Sequence, residues 1–305
     1  MRAPAVCDVV VVGGGPAGLA SALWLGRHRF RTVVVDRGEP RNRWVDETFG
    51  YLGFDATPPD ELLRAARRDL ERYPEVTRIT SGVRAAHRQA DRFLVEADDE
   101  QLDAAAIVFA TGVVDAVPPL PGLREHYGTS VFVCPLCDGY EVAGTRVAVL
   151  GAGGTAGAFA AELLRWARCV TVVPLGEERP TDDLPSSVSM APARATAVEG
   201  TTSGIDRIAL SDGSAVPTEV IFLRSDTIAV TDLAAHLGCD RNDEGLLVVD
   251  ADGCTSLPRV YAAGDCTPGP QLVQVAAAEG ARAGLHCART LMADRCAGER
   301  QRPNG

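Results

Sequence analysis

Two cysteines stand three residues apart in the run Cys134-Pro135-Leu136-Cys137-Asp138-Gly139. On a turn or at a helix start such a pair can close a disulfide, and a helix N-terminus lowers the pKa of a thiolate placed there. The competing reading is half of a zinc centre. A Cys₄ or Cys₂His₂ site needs a second pair at similar spacing, and the sequence holds no other C-x-x-C and no H-x-x-x-H. No metal is expected, and the pair reads as a dithiol–disulfide couple. The remaining cysteines, at positions 7, 169, 239, 254, 266, 287 and 296, read as mostly buried thiols of a cytoplasmic chain.

A second chemistry lies near the N-terminus. Gly13, Gly15 and Gly18, with Pro16 and Ala17 between them, form G-x-G-x-x-G after the apolar run Val9–Val12 and before a helical pattern. The first glycine permits a tight turn, the second lets the backbone approach a pyrophosphate, and the third allows close helix–strand packing. The helix start then offers free N–H groups to the phosphates. Asp36 follows 23 residues after Gly13, at the end of the next apolar run, where a carboxylate accepts ribose hydroxyls. Strand, turn, helix and acid together predict a dinucleotide site.

The pattern repeats. Arg146–Leu150, a turn with Gly151, Gly153 and Ala156, a helical pattern and Cys169–Val173 make another βαβ unit. The offset that gives Asp36 in the first copy gives Pro174 in the second, within the run Pro174-Leu-Gly-Glu-Glu-Arg-Pro180. Arg179 compensates only partly, and Glu177 comes three residues late for a ribose.

Two such units fit the length of 305 residues and predict an α/β fold with two Rossmann-like domains. The Pro/Gly stretch 117–122 reads as a linker, and the charged stretch 241–245 as the return. The partition is then a discontinuous outer domain, 1–117 plus 245–305, with residues 118–244 inserted. Strands near 77–84, 92–97 and 205–211 read as small antiparallel additions. Val260–Asp265 reads as a late strand, and 272–293 as an Ala-rich helix. All 30 basic residues are Arg, and the net charge is −11, which argues against nucleic acid or an anionic membrane as partner. No apolar run is long enough to span a bilayer, and no signal peptide is evident, so the chain reads as cytoplasmic.

Two short motifs add a resemblance. Ala110-Thr111-Gly112 and Gly264-Asp265, with the N-terminal glycine motif, resemble the three FAD signatures of the two-dinucleotide-domain flavoproteins. The C-x-x-C-D-G run resembles that of low-molecular-weight thioredoxin reductases. The resemblance implies FAD in the outer domain, with Asn42, Val83 and Gln274 among its neighbours and Asp265 at the ribityl or phosphate region. It implies that Cys137 faces the flavin, that Cys134 meets the substrate, and that Asp138 handles the thiol proton. A homodimer is also implied.

The resemblance has one departure. NADPH-dependent reductases carry His-Arg-Arg where this chain has Pro174-Leu175-Gly176. Two lost charge-assisted contacts, at about 1.5–3 kcal/mol each, amount to roughly two to four decades in affinity. NADPH is therefore doubtful, and oxygen becomes the expected electron acceptor. That arrangement is similar to the gliotoxin- and holomycin-type dithiol oxidases, although their motif reads C-x-x-C-H-G. The expectation is a dithiol oxidase acting on a small molecule. The alternative is a disulfide reductase of the thioredoxin-reductase type, using NAD(P)H or another electron donor and acting on a small disulfide or a thioredoxin-like protein. The apolar loop Phe49–Phe54 is a candidate flap, and His126 and Tyr127 are candidates to line a cleft.

Overall fold

In a computed structural model the described residues are 3–151, 156–177, 183–224 and 227–300, the side chains of 298–300 excepted. The chain begins with β1 (Ala5–Val12), whose Val9, Val10 and Val11 are fully buried, as expected of a central parallel strand covered on both faces. It turns into α1 (Pro16–Arg27), where Pro16 occupies the first turn and lacks only an N–H that would have no helical partner. There follow β2 (Thr32–Asp36), α2 (Pro59–Leu70), β3 (Val76–Thr80), β4 (Val83–Gln89), β5 (Arg92–Ala97), β6 (Gln101–Phe109) and the short β7 (Val113–Asp115).

The inserted part contains β8 (Val131–Phe132), α3 (Pro135–Asp138), β9 (Arg146–Leu150), α4 (Ala156–Leu163), β10 (Cys169–Val173), β11 (Val188–Met190), β12 (Ala195–Thr201), β13 (Gly204–Leu210), β14 (Ala215–Pro217) and β15 (Val220–Leu223). The chain returns through β16 (Thr227–Ala229), α5 (Asp232–Leu237), β17 (Val260–Ala262) and α6 (Val273–Arg300).

These elements form two Rossmann-type units. In the outer unit the parallel order is β3-β2-β1-β6-β17, and β5 and β4 continue from β6 in antiparallel pairing. Helix α6 packs along α1, where the Ser21 hydroxyl donates to the Gly280 carbonyl at 2.8 Å. The inserted unit has the parallel sheet β11-β10-β9-β15-β8 and a separate antiparallel sheet β12-β13-β14. The chain crosses between the units twice, and the two crossing strands, β7 and β16, pair antiparallel.

Two sequence expectations need correction. The stretch 77–84 is two strands: β3 extends the main sheet in parallel with β2, and only β4 belongs to an antiparallel addition. The return to the outer unit comes at β16 rather than near residue 245. Ala234, Cys239 and Leu247 share the core of β1, β6 and β17, so the segment after β16 packs with the outer unit. The charged stretch 241–245 is a local turn, in which the Asn242 side chain accepts from the N–H groups of Glu244 and Leu246.

Candidate active site

The outer site begins at the β1–α1 turn. Gly13 has φ +105°, and a Cβ there would lie 2.2 Å from the Ala110 carbonyl oxygen. A Cβ on Gly18 would lie 1.9 Å from the Gly13 oxygen, so helix and turn meet backbone to backbone. At Gly15 the same construction meets nothing within 4 Å, which leaves the start of α1 open to a phosphate. Pro16 and Ala17 form the first turn beneath it. Asp36 ends β2 beside the turn and pairs with Arg67 of α2 at 3.6 Å. The Arg67 Nε is buried without a protein partner. An open phosphate cradle, a carboxylate at the ribose position and an orphaned guanidinium nitrogen beside it together fit the adenosine diphosphate half of an FAD.

The other candidate residues, Ala110, Thr111, Gly112, Gly264 and Asp265, follow the C-terminal ends of β6 and β17. The Thr111 hydroxyl donates to the Val230 carbonyl. Glu279 of α6 accepts from the Gly264 N–H at 2.9 Å and so fixes the Gly-Asp turn. Burial raises the pKa of both the Glu279 and the Asp265 carboxyls. Arg41, in the loop after β2, reaches Asp265 at 3.0 Å, Gln271 at 2.7 Å and Asp115 at 2.6 Å. Asn42 donates to the Thr48 hydroxyl at 3.1 Å, and Val83 opens β4. Gln274 accepts from the Leu52 N–H at 3.3 Å and ties α6 to the Phe49–Phe54 loop. Leu52 itself is 90% exposed at the tip of that loop.

The sulfur pair lies in the inserted unit. Cys134 and Cys137 are joined in a disulfide, and Cys134 caps α3, its Sγ accepting the Cys137 N–H at 3.1 Å. That N–H favours negative charge on Cys134 once the bond opens. Both cysteines are half-buried, while Leu136 between them is exposed. Burial, reinforced by Glu141, pushes the Asp138 carboxyl up to about 7. A carboxyl in that range takes and returns a proton near neutral pH. Asp138 also contributes to the field at Tyr127, whose hydroxyl donates to Asp115 at 2.9 Å.

A family model described as pyridine nucleotide-disulphide oxidoreductase matches residues 7–280. The chain belongs to this family. Thioredoxin reductase tcpT of Claviceps purpurea is 30% identical over 95% of both chains. A component of the alkyl hydroperoxide reductase of Pseudomonas putida is 31% identical over 91% of this chain, which spans 57% of that relative's length. The crystal structure of HlmI superposes with a TM-score of 0.90 at 30% identity, covering 96% of this chain and 95% of the other. With the disulfide in place, the chain is a thiol–disulfide oxidoreductase of the thioredoxin-reductase-like group, and its outer unit is an FAD-type Rossmann domain. No helix among the described residues is long and apolar enough to cross a membrane.

Within this oxidoreductase the second glycine motif is described only in part. Gly151 has φ +111° at the end of β9, and Ala156 starts α4, whereas Gly153 lies outside the described residues. After β10, Pro174, Leu175 and Gly176 bring no cation to the nucleotide position. The Glu177 side chain is 98% exposed, with Arg194 3.9 Å away, and Glu178, Arg179 and Pro180 are outside the described residues. Cys266 is fully buried, its thiol held against the Ala263 and Phe109 carbonyls. Sequence reasoning missed Arg41, Asp115, Gln271 and Glu279. The glycine and cysteine spacings announce themselves, but one Arg among 30 carries no local signal until the fold joins it to positions 115 and 265.

Proposed function

We propose that this protein is a dithiol oxidase that closes a disulfide in a small molecule and delivers the electrons to oxygen, so that R(SH)₂ and O₂ give the cyclic disulfide and H₂O₂. The observation that carries the reading is the stretch after β10, where Pro174, Leu175 and Gly176 carry no charge and Glu177 adds a carboxylate. Among the described residues Arg194, 3.9 Å from Glu177, is the cation beside the stretch. Gly13, Gly15, Pro16, Ala17, Gly18, Asp36, Asn42, Val83, Ala110, Thr111, Gly112, Gly264, Asp265 and Gln274 are the residues proposed to hold FAD. Bound FAD supplies the two-electron acceptor that restores the disulfide and passes the pair to O₂.

The chain's own residues perform the thiol chemistry. A substrate thiolate attacks Cys134 Sγ, the Cys134–Cys137 bond breaks, and Cys137 leaves as the thiolate. The second substrate thiol attacks the sulfur bound to Cys134, closing the product disulfide and releasing Cys134. Asp138 takes the proton from an attacking thiol and returns it to a departing sulfur. The half-exposed turn around Leu136 suits a substrate that must reach Cys134 from solvent.

A reductase using a nicotinamide nucleotide is the second reading. It is favoured by the acid at position 138, where the oxidases resembled here carry His. Anaerobic stopped-flow separates the two. Dithiothreitol bleaches the flavin rapidly, and NADPH or NADH at micromolar concentration leaves it oxidised. Rapid bleaching by either nucleotide overturns the oxidase reading. In air the oxidase releases one H₂O₂ per dithiol consumed. A homodimeric assembly is proposed with this reading and is checked by light scattering.

A further inference from the structure

The two units are joined by a thin crossing. β7 and β16 pair over three residues each, Val113 with Ala229, Val114 with Ile228 and Asp115 with Thr227. Val114 is 54% and Ile228 59% exposed, so little packs over the crossing to fix the angle between the units. A separate set of contacts does so.

Tyr127 belongs to the inserted unit, where its ring packs on the core of Leu123 and Val131. Its hydroxyl donates to Asp115, the last residue of the crossing strand, at 2.9 Å. Asp115 is nearly buried, and Arg41 of the outer unit grips both its oxygens, with Nε at 3.1 and 3.0 Å and Nη2 at 2.6 Å. The same guanidinium holds Asp265 of the Gly-Asp turn through Nη1 at 3.0 Å. One chain of hydrogen bonds thus runs from the inserted unit, through the crossing, to the cofactor turn.

A second contact stands alongside it. The Tyr127 ring meets the edge of Trp44, with centroids 6.4 Å apart. Gly128, at φ +87°, would place a Cβ 2.1 Å from the Trp44 carbonyl oxygen, so the two units touch backbone to backbone. Burial and the Asp115 charge raise the Tyr127 pKa, which keeps its hydroxyl a donor. Asp138, on the helix bearing the sulfur pair, adds a smaller contribution of the same sign.

We propose that Tyr127, Asp115 and Arg41 form a latch that holds the inserted unit, and with it Cys134 and Cys137, in one orientation toward the cofactor turn. All three are positioning residues. The latch rests on the thiol–disulfide activity alone.

Two exposed cysteines supply the test. Cys169 lies on the inserted unit and Cys296 on α6 of the outer unit. Nitroxide labels on these two, in holoenzyme carrying Cys254→Ser and with the active disulfide kept oxidised, report the angle between the units by pulsed electron spin resonance. With labelled protomers diluted into an excess of unlabelled ones, so that only the distance within one chain is read, the parent gives one narrow distance distribution. Tyr127→Phe and Asp115→Asn each broaden it or add a second distance. Each also slows flavin bleaching by saturating dithiothreitol about tenfold, the change expected from one lost hydrogen bond to a charged group, with the half-saturating concentration unchanged. The double variant is no worse than the more severe single one, because the Tyr127–Asp115 and Asp115–Arg41 contacts lie in series along one connection. Unchanged distances in Tyr127→Phe, which keeps the ring and the fold, overturn the latch. So do additive effects in the double variant. If Asp115→Asn loses its flavin, Tyr127→Phe alone decides. Bleaching by NADPH would refute the oxidase reading and leave this result untouched.

Discussion

Burial holds the Asp138 carboxyl near 7, about three pH units above its ordinary value, so at neutral pH it is poised between acid and base. The rate of thiol oxidation should rise with pH as Asp138 ionises. In Asp138→Asn the rising limb near pH 7 disappears, and turnover falls about 100-fold, the lower end of what a positioned acid–base group contributes. A pH–rate profile of both proteins checks this. The stability sign follows from the same shift. The folded protein keeps the proton up to about pH 7, whereas the unfolded chain releases it near the ordinary value of 3.8. Folding therefore takes up a proton in that window, and stability declines as pH rises through it. Urea titrations at the two ends of the window show the decline in the parent and a smaller one in Asp138→Asn. Cys137→Ser removes the disulfide and should abolish flavin bleaching by dithiols, read in the same anaerobic mixing experiment. Survival of bleaching would reassign the roles within the pair.

At the level of elements, the β1–α1 junction carries the sharpest steric demand. In Gly18→Ala the new methyl carbon would fall 1.9 Å from the Gly13 oxygen, so α1 must move off the turn. The variant should purify with markedly less flavin, read as the ratio of visible to ultraviolet absorbance. This junction is also the most legible part of the sequence, because a glycine at each tight approach and an acid after the next strand leave few alternatives. The repeated unit at β9 is legible for the same reason. The return crossing is not. β16 is three residues long with no compositional mark, while 241–245 has the polarity of a linker and is only an Asn-centred turn. β3 lies at the sheet edge, where parallel pairing with β2 leaves one side open, and Val76–Thr80 has only two apolar residues, so nothing in it signals the parallel sheet it joins. The cysteine pair is legible from spacing alone. Its link to the outer unit is not, because Tyr127, Asp115, Arg41 and Asp265 are scattered over the chain and meet only through tertiary structure.

The molecule as a whole carries a net charge of −11. Such a field repels anionic substrates before they reach Cys134, and salt screens it over about 10 Å at 0.1 M. A dithiol bearing carboxylates should therefore show a lower kcat/KM than a neutral dithiol of similar size at low ionic strength. The gap should narrow as salt is added. Steady-state assays at two salt concentrations measure it, and a gap indifferent to salt would place the discrimination inside the cleft instead.

Because both passages between the units run side by side, the ends of the insert are neighbours. The Val230 N–H donates to the Gly112 carbonyl at 3.1 Å, at the point where the outer chain leaves and comes back. A short splice there would bridge the excised segment without pulling β6 and β17 apart. The cysteine-bearing insert thus leaves and re-enters the outer unit at a single point, so its removal or replacement would leave the β1, β6 and β17 ladder of the outer sheet continuous.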